Sequence, residues 1–361
     1  MIKLAPIFLF LIFILGTSQA QDLTFEEYNP ESTLVVPENP VTRAKFPVVD
    51  VHSHHNMVNK DLSIVVGAMD TLNLAVLVNL SGGSGKKLKD GMANIQKNYP
   101  NRFLQFANVD FSGVGDPGWG ARAAAQLKED HASGAVGLKI FKSLGLRYTD
   151  TQGNRIAVDD ARLDPVWEMC ATLGIPVLIH AADPKSFWDP MDAMNERWLE
   201  LKTRPRRKRN DSDPAPWEQI IAEQHNLFRK HPKTIFINAH MGWYANNLDR
   251  LSELMEEFPN MYVGIGAIIA ELGRQPRRAK TFFIKYQDRI LFGKDSWQPS
   301  EFPTYFRVLE TADEYFPYHK KYHAFWAMYG LDLPDSILKK VYYQNALKIL
   351  PSLDRSLFPG S

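Results

Sequence analysis

The sequence predicts an α/β protein, a (β/α)8 TIM barrel with a long loop after the fifth strand and a helical C-terminal extension. Three observations carry that expectation. Eight short apolar runs alternate with helical stretches, the pattern of parallel strands buried on both faces. Metal-type residues stand at the carboxyl ends of the first, fifth, sixth and eighth runs, where barrel active sites gather. About 340 residues remain once an N-terminal leader is set aside, enough for one barrel with insertions. A doubly wound open sheet is the rival architecture, but it would struggle to bring its first and last strands together.

The leader comes first. Met1-Ile-Lys3, the apolar run Leu4 to Leu15 and then Gly-Thr-Ser-Gln-Ala20 supply the charged, hydrophobic and small-residue parts of a secretory signal, cleaved after about Ala20. The apolar run is shorter than the roughly 18 residues needed to span a bilayer, so no stable membrane span is expected after cleavage, and the location is secreted or periplasmic. Residues 21–46, rich in Glu, Pro and Thr, read as an extended arm, and 47–361 as the catalytic barrel.

The expected strands are Val48 to His52, Leu74 to Leu80, Phe103 to Asp110, Ala135 to Phe141, Ile175 to His180, Thr234 to His240, Met261 to Ile265 and Ile290 to Asp295. Helices are expected at Asp61 to Asn73, Lys86 to Tyr99, Trp119 to Ala132, Asp160 to Leu173, Trp217 to His231, Ala245 to Phe258 and Pro276 to Tyr286. Ala181 to Pro216 is too long for an ordinary connection and reads as a lid on the active-site face. Its basic run Arg204-Pro-Arg-Arg-Lys-Arg209 is either a solvated surface or a lure for anionic substrates. The aromatic-rich segment Gln298 to Tyr329 is expected to cap the barrel and add apolar wall. The single cysteine, Cys170, excludes an intrachain disulfide and reads as a buried, inert thiol. A net charge of +1 gives no global pull toward nucleic acid, so the expected partner is a small molecule; a homo-oligomer is left open.

The chemistry is read from strand ends. Side chains two apart on a strand share a face, so His52 and His54 can grip one ion together. With His180 and Asp295 they make a nitrogen-rich set suited to one divalent metal per chain, Zn²⁺ first and Fe²⁺ or Mn²⁺ next, able to activate water at neutral pH. Asp295 can also accept a proton. His240 is either a ligand to a second metal or a catalytic group that polarises the substrate and shuttles a proton, the role preferred here. Lys139 interrupts a buried strand, so it points toward a carboxylate, toward the substrate, or carries a carboxyl modification that bridges two metals; the bland alternative is a lysine near the strand end that reaches solvent or pairs structurally. Asp50 reads as a group orienting the ligands or a polar group low in the barrel, and His55, of opposite parity, as no ligand. His131, His225, His231, His319 and His323 are expected to be surface or structural.

Asp50-Val-His52-Ser-His54, the strand-end His180 and His240, Gly293-Lys-Asp295 and Asn345-Ala-Leu-Lys-Ile-Leu350 together resemble the amidohydrolase superfamily. More narrowly, they resemble its amidohydrolase-related branch, which includes aminocarboxymuconate semialdehyde decarboxylase and aromatic acid decarboxylases. The resemblance runs from about Val48 to Leu350 and implies a metal-dependent barrel in which His52, His54, His180 and Asp295 bind one metal and His240 is catalytic. Lys139 falls about where binuclear members of the superfamily carry a carboxylated lysine. The leader and the Arg-rich loop depart from the cytosolic decarboxylase pattern. The first expectation is therefore a secreted hydrolase of a small amide, ester or lactone. The second is a non-oxidative decarboxylase of an unsaturated or aromatic acid, and the third a barrel that binds without turnover.

Overall fold

The structure, a computed structural model, describes residues 23–24, 27–28 and 30–360, so the leader read at residues 1–20 lies outside the described residues. The chain divides into two units, Met1–Leu34 and Val35–Ser361. In the first, Thr24 and Glu27 close a short turn through a 2.8 Å hydrogen bond from Thr24 Oγ1 to the carboxylate. The second carries the barrel.

Eight parallel strands run in sequence order: β1 (Val48–Ser53), β2 (Leu74–Asn79), β3 (Phe103–Asn108), β4 (Ala135–Ile140), β5 (Val177–Ile179), β6 (Phe236–Asn238), β7 (Met261–Gly264) and β8 (Ile290–Leu291). Each pairs with its successor in parallel register. The first and last strands meet through backbone bonds just beyond β8, from Val51 N to Phe292 O (3.1 Å) and from Asp295 N to His52 O (2.7 Å). Such closure removes the open edge that the rival sheet would carry.

The expected elements form where the apolar periodicity placed them, because each strand is covered by helices outside and by side chains within. Every residue of β1 is buried, Asp50, His52 and Ser53 included. Trp119–Ala132 is helical over the expected span, and Asp164–Leu173 stops at Gly174, whose φ of 67° is a left-handed stop that glycine adopts without a Cβ penalty. The strands ending in His180, His240 and Asp295 are shorter than the apolar runs, because the backbone leaves the sheet one to four residues before the functional side chain.

The segment after β5 carries a helix at Trp198–Thr203 and folds back onto the barrel. Trp217 Nε1 donates to Asp183 O (2.9 Å), and Trp188 Nε1 to Ala215 O (2.9 Å). Its basic run is partly spent internally: Arg207 pairs with Glu200 and Arg209 with Asp183, while Arg204 and Arg206 face solvent. The aromatic segment packs as wall. Phe302, Tyr305 and Phe306, on the helix Phe302–Glu310, surround Phe292 at ring distances of 6.0 to 6.3 Å. A two-stranded ribbon, β9 (Phe316–Pro317) with β10 (Ala327–Met328), follows. The last α-helical stretch runs from Asp335 to Ile349 through a π-helical turn, and Asn345 Nδ2 ties it to β8 by donating to Ile290 O (2.8 Å); a short 3-10 turn at Arg355–Leu357 follows. Cys170 is free and buried, and burial pushes its thiol up. No helix among the described residues is long and apolar enough to cross a membrane.

Candidate metal centre

The barrel brings together all five side chains expected at its carboxyl end. His52 lies on β1 and His54 one residue beyond it, His180 directly follows β5, His240 lies in the turn Ala239–Trp243 after β6, and Asp295 lies four residues past β8. His52 Nε2 is 3.5 Å and His54 Nε2 3.6 Å from Asp295 Oδ1. One ligand atom each from His52, His240 and Asp295 lie within 4.8 Å of one another. His180 joins through a 3.2 Å contact of its Nδ1 with His240 Nε2. Two of the backbones are held in unusual conformations, φ of 57° at His240 and 83° at Asp295, which aim the side chains back over the barrel mouth.

Hydrogen bonding assigns the tautomers. Gly266 O, an acceptor only, lies 2.7 Å from His240 Nδ1, so that nitrogen carries the proton and Nε2 is a lone pair. His180 Nδ1 must then donate to His240, which leaves His180 Nε2 a lone pair, buried and without a hydrogen-bond partner. His54 Nδ1 is 2.9 Å from Ser81 Oγ, freeing its Nε2 toward Asp295. Both ring nitrogens of His52 are buried and unpartnered.

Burial, helped by the charge of Lys139, holds His52 and His180 well below the usual imidazole range. Burial likewise lowers His54 and His240 to about 4. All four are therefore neutral at pH 7, the form that coordinates. Unpartnered nitrogens on His52 and His180, with the Nε2 atoms of His52 and His54 facing one carboxylate, fit a divalent ion of borderline softness. By spacing alone, His52, His240 and Asp295 could hold such an ion together; His54 stands beside Asp295 and His180 beside His240.

Lys139, on β4, is buried with its Nζ unpartnered, 5.4 Å from the Phe141 ring; burial brings its ammonium down to about 7 despite the attraction of Asp295. The reading of a lysine reaching solvent is thereby corrected: at 1% exposure, the barrel wall closes around it. Asp50 sits beneath the site. Its Oδ1 accepts from the backbone N–H of His52 (2.9 Å) and of Lys294 (3.1 Å), stitching the first strand to the segment that carries Asp295. Burial raises its carboxyl to about 7. His55 turns away to Ser53 Oγ (2.7 Å) and packs on Trp297.

Two participants carried no signal strong enough to single them out. Ser81 orients His54, and its position just past a strand end, like that of the histidines, was the available clue. Trp243 stacks on His240 at 4.5 Å and 19°, and lies 5.5 Å from His180; its indole N–H donates to Ala181 O (3.0 Å). Phe141, 5.7 Å from His54, is a second aromatic wall.

A family model described as amidohydrolase matches residues 80–351. The match begins after His52 and His54, so the tertiary structure unites those two with the rest. Among solved structures, 2,6-dihydroxybenzoate decarboxylase from Rhizobium is similar with a TM-score of 0.56 at 15% identity, covering 85% of this chain and 99% of that one. A dihydroxybenzoic acid decarboxylase from Polaromonas sp. JS666, solved with manganese and the inhibitor 2-nitroresorcinol, is similar with a TM-score of 0.56 at 14% identity, covering 86% and 99%. No curated protein matches the sequence significantly.

Proposed function

The chain belongs to the amidohydrolase family, and on that premise we propose that it is a metal-dependent enzyme removing the carboxyl group of a small planar acid without oxidation. The observation that carries the reading is the five-residue cluster itself, with the Trp243 ring stacked on His240 and the Phe141 ring 5.7 Å from His54. Two flat walls beside a cationic centre suit an unsaturated or aromatic acid. The two decarboxylases of similar fold add support, one with manganese bound.

When bound, a divalent ion would supply positive charge that anchors the acid and stabilises negative charge developing on the substrate. Zn²⁺ is the proposed ion, with Mn²⁺ the alternative. The residues do the rest. His52, His54, His180 and Asp295 fix the ion, and Asp50 and Ser81 hold His52 and His54 in place. Asp295, whose side chain is 33% exposed, is the carboxylate of the five that can carry a proton to the carbon losing CO₂. His240, neutral with Nδ1 donating to Gly266 O, keeps Nε2 as the lone pair that accepts from His180 Nδ1 and can take up a proton there.

Hydrolysis of a small ester, amide or lactone is the second reading. The exposure of Asp295, which lets water reach a carboxylate able to take its proton, favours it, as does the signal-like composition of residues 1–20. Export to the periplasm or medium belongs to the proposal, and cell fractionation tests it. Product analysis separates the reactions: metal-loaded protein is incubated with 2,6-dihydroxybenzoate and with dihydrocoumarin. CO₂ release lost in Asp295→Asn supports decarboxylation; lactone opening without CO₂ would replace it by hydrolysis.

A further inference from the structure

The carbonyl that fixes the His240 tautomer belongs to a peptide held from both sides. Gly266 O accepts from His240 Nδ1 (2.7 Å), and the N–H of the same peptide unit, that of Ala267, donates to Tyr305 Oη (3.0 Å). The unit is trans, so its carbonyl and N–H point in opposite directions, and His240 and Tyr305 grip one rigid plane at its two ends. Tyr305, on the helix Phe302–Glu310, is buried, with its ring 6.0 Å from that of Phe292. Burial holds its phenol well above the ordinary value, so the oxygen that accepts from Ala267 remains a neutral hydroxyl.

This peptide is the centre of a tight turn after β7, closed from Ile268 N to Ile265 O at 3.5 Å. Of its two central residues only Ala267 has a positive φ, 57°, which is the type II arrangement. That position favours glycine; alanine is more at ease in type I, which differs by turning the central peptide over. The turn therefore keeps the less favoured orientation, and the bonds to His240 and Tyr305 are the contacts that select it. The peptide also lies against the cluster, since a Cβ added at Gly266 would sit 3.2 Å from His52 Nδ1 and 3.6 Å from Asp295 N.

We propose that Tyr305 is a positioning residue for the metal centre: by holding the Gly266–Ala267 peptide in this orientation, it sets the tautomers of His240 and, through it, of His180. The inference rests on the metal-centre reading above. With the carbonyl toward His240, His240 Nε2 is a lone pair, His180 Nδ1 donates to it across 3.2 Å, and His180 Nε2 is left bare for an ion. With the peptide turned over, an N–H faces His240 Nδ1 and the ring proton moves to Nε2. His180 Nδ1 must then accept, and His180 carries its own proton on Nε2. Both rings stay neutral in either arrangement, but a protonated nitrogen cannot ligate, so only the first leaves His180 Nε2 able to bind metal. A hydroxyl outside the cluster thus decides whether a histidine within it can coordinate.

The test is proton–nitrogen NMR of the metal-free full chain with isotope-labelled histidine, which tells Nδ1–H from Nε2–H, alongside Zn²⁺ affinity by chelator competition. The His240 and His180 signals are identified by their loss in His240→Asn and His180→Ala. The wild type should carry its protons on Nδ1 of both rings; protons on Nε2 there overturn the proposal before any variant is made. In Tyr305→Phe, which keeps the ring and removes the acceptor, both protons should move to Nε2 and Zn²⁺ affinity should fall at least about tenfold. Tyr305→Phe with Ala267→Gly should return both readings toward wild type, because glycine adopts the positive φ without strain. Tautomers unchanged in a Tyr305→Phe protein that unfolds cooperatively, or a double variant no closer to wild type than Tyr305→Phe, overturn the role of Tyr305. Shifted tautomers with wild-type Zn²⁺ affinity overturn the link from His180 to the metal. A wild type that takes up no Zn²⁺ overturns the metal-centre reading instead, and the tautomers of the metal-free protein still decide the role of Tyr305.

Discussion

Replacing Gly293 by alanine should loosen the metal centre without touching a ligand. Gly293 lies between β8 and Asp295, and an added Cβ would sit 2.9 Å from His52 Cβ, 3.5 Å from His52 N and 3.8 Å from Asp50 Oδ1. Ordinary contact begins at 3.4 Å, so the two segments must part by at least about 0.5 Å. Neither side can yield by rotating a side chain: His52 Cβ is fixed to a buried strand, and the 2.7 Å bond from Asp295 N to His52 O ties the same two segments together. The parting therefore moves His52 against Asp295, two members of the cluster. Mutations that disturb what holds metal ligands in place cost on the order of 10- to 100-fold in metal affinity or activity, and misplacement by about 1 Å costs roughly 10²-fold in turnover. The assay is metal affinity by competition with a chromophoric chelator, alongside thermal unfolding of the metal-free protein. The expected result is metal affinity at least about tenfold weaker in a variant that still unfolds cooperatively. Wild-type affinity in Gly293→Ala would refute the claim that this glycine sets the spacing of His52 and Asp295.

Three further outcomes are expected. His180→Ala should lose metal and activity together, whereas His240→Asn should keep most of its metal and lose turnover by about 10² or more if it moves a proton; elemental analysis with single-turnover assays checks both, and halved metal content in His240→Asn would make that histidine a ligand. Lys139, lowered from 10.5 to about 7 by burial, binds its proton less tightly folded than unfolded. The metal-free protein should therefore gain stability from this group as pH rises from about 7 to 10.5, by on the order of 1 kcal/mol per pH unit. Lys139→Met should abolish that slope and be more stable than wild type below pH 7; equal urea midpoints at pH 6 would contradict it. Added Zn²⁺ at about 100 times its Kd should stabilise the apoprotein by ~2.7 kcal/mol, some 4 °C in Tm for a chain of this length at about 2.1 cal/mol/K per residue, and that rise should vanish in His180→Ala.

The sequence alone determined the alternation of strand and helix and the placing of chemistry at strand ends. A parallel strand buried on both faces must be a short apolar run, and a polar residue at its carboxyl end is conspicuous against it; hence Val48–Ser53, Phe236–Asn238 and the residues after them were legible. Tertiary structure decided what spacing cannot encode. His240 and Asp295 reach the cluster through left-handed backbone conformations in turns, which no period of two or 3.6 describes. The tautomers follow from Gly266 O, a backbone group with no side-chain signature. Lys139 is sealed from solvent because neighbouring strands and Phe141 enclose it, and the pairing of Arg207 and Arg209 with Glu200 and Asp183 draws inward part of what reads in sequence as a solvated basic run. Periodicity reports which way a side chain faces along its own element; which groups then meet, and which buried atoms are left unpaired, is settled only when separate elements close into a barrel.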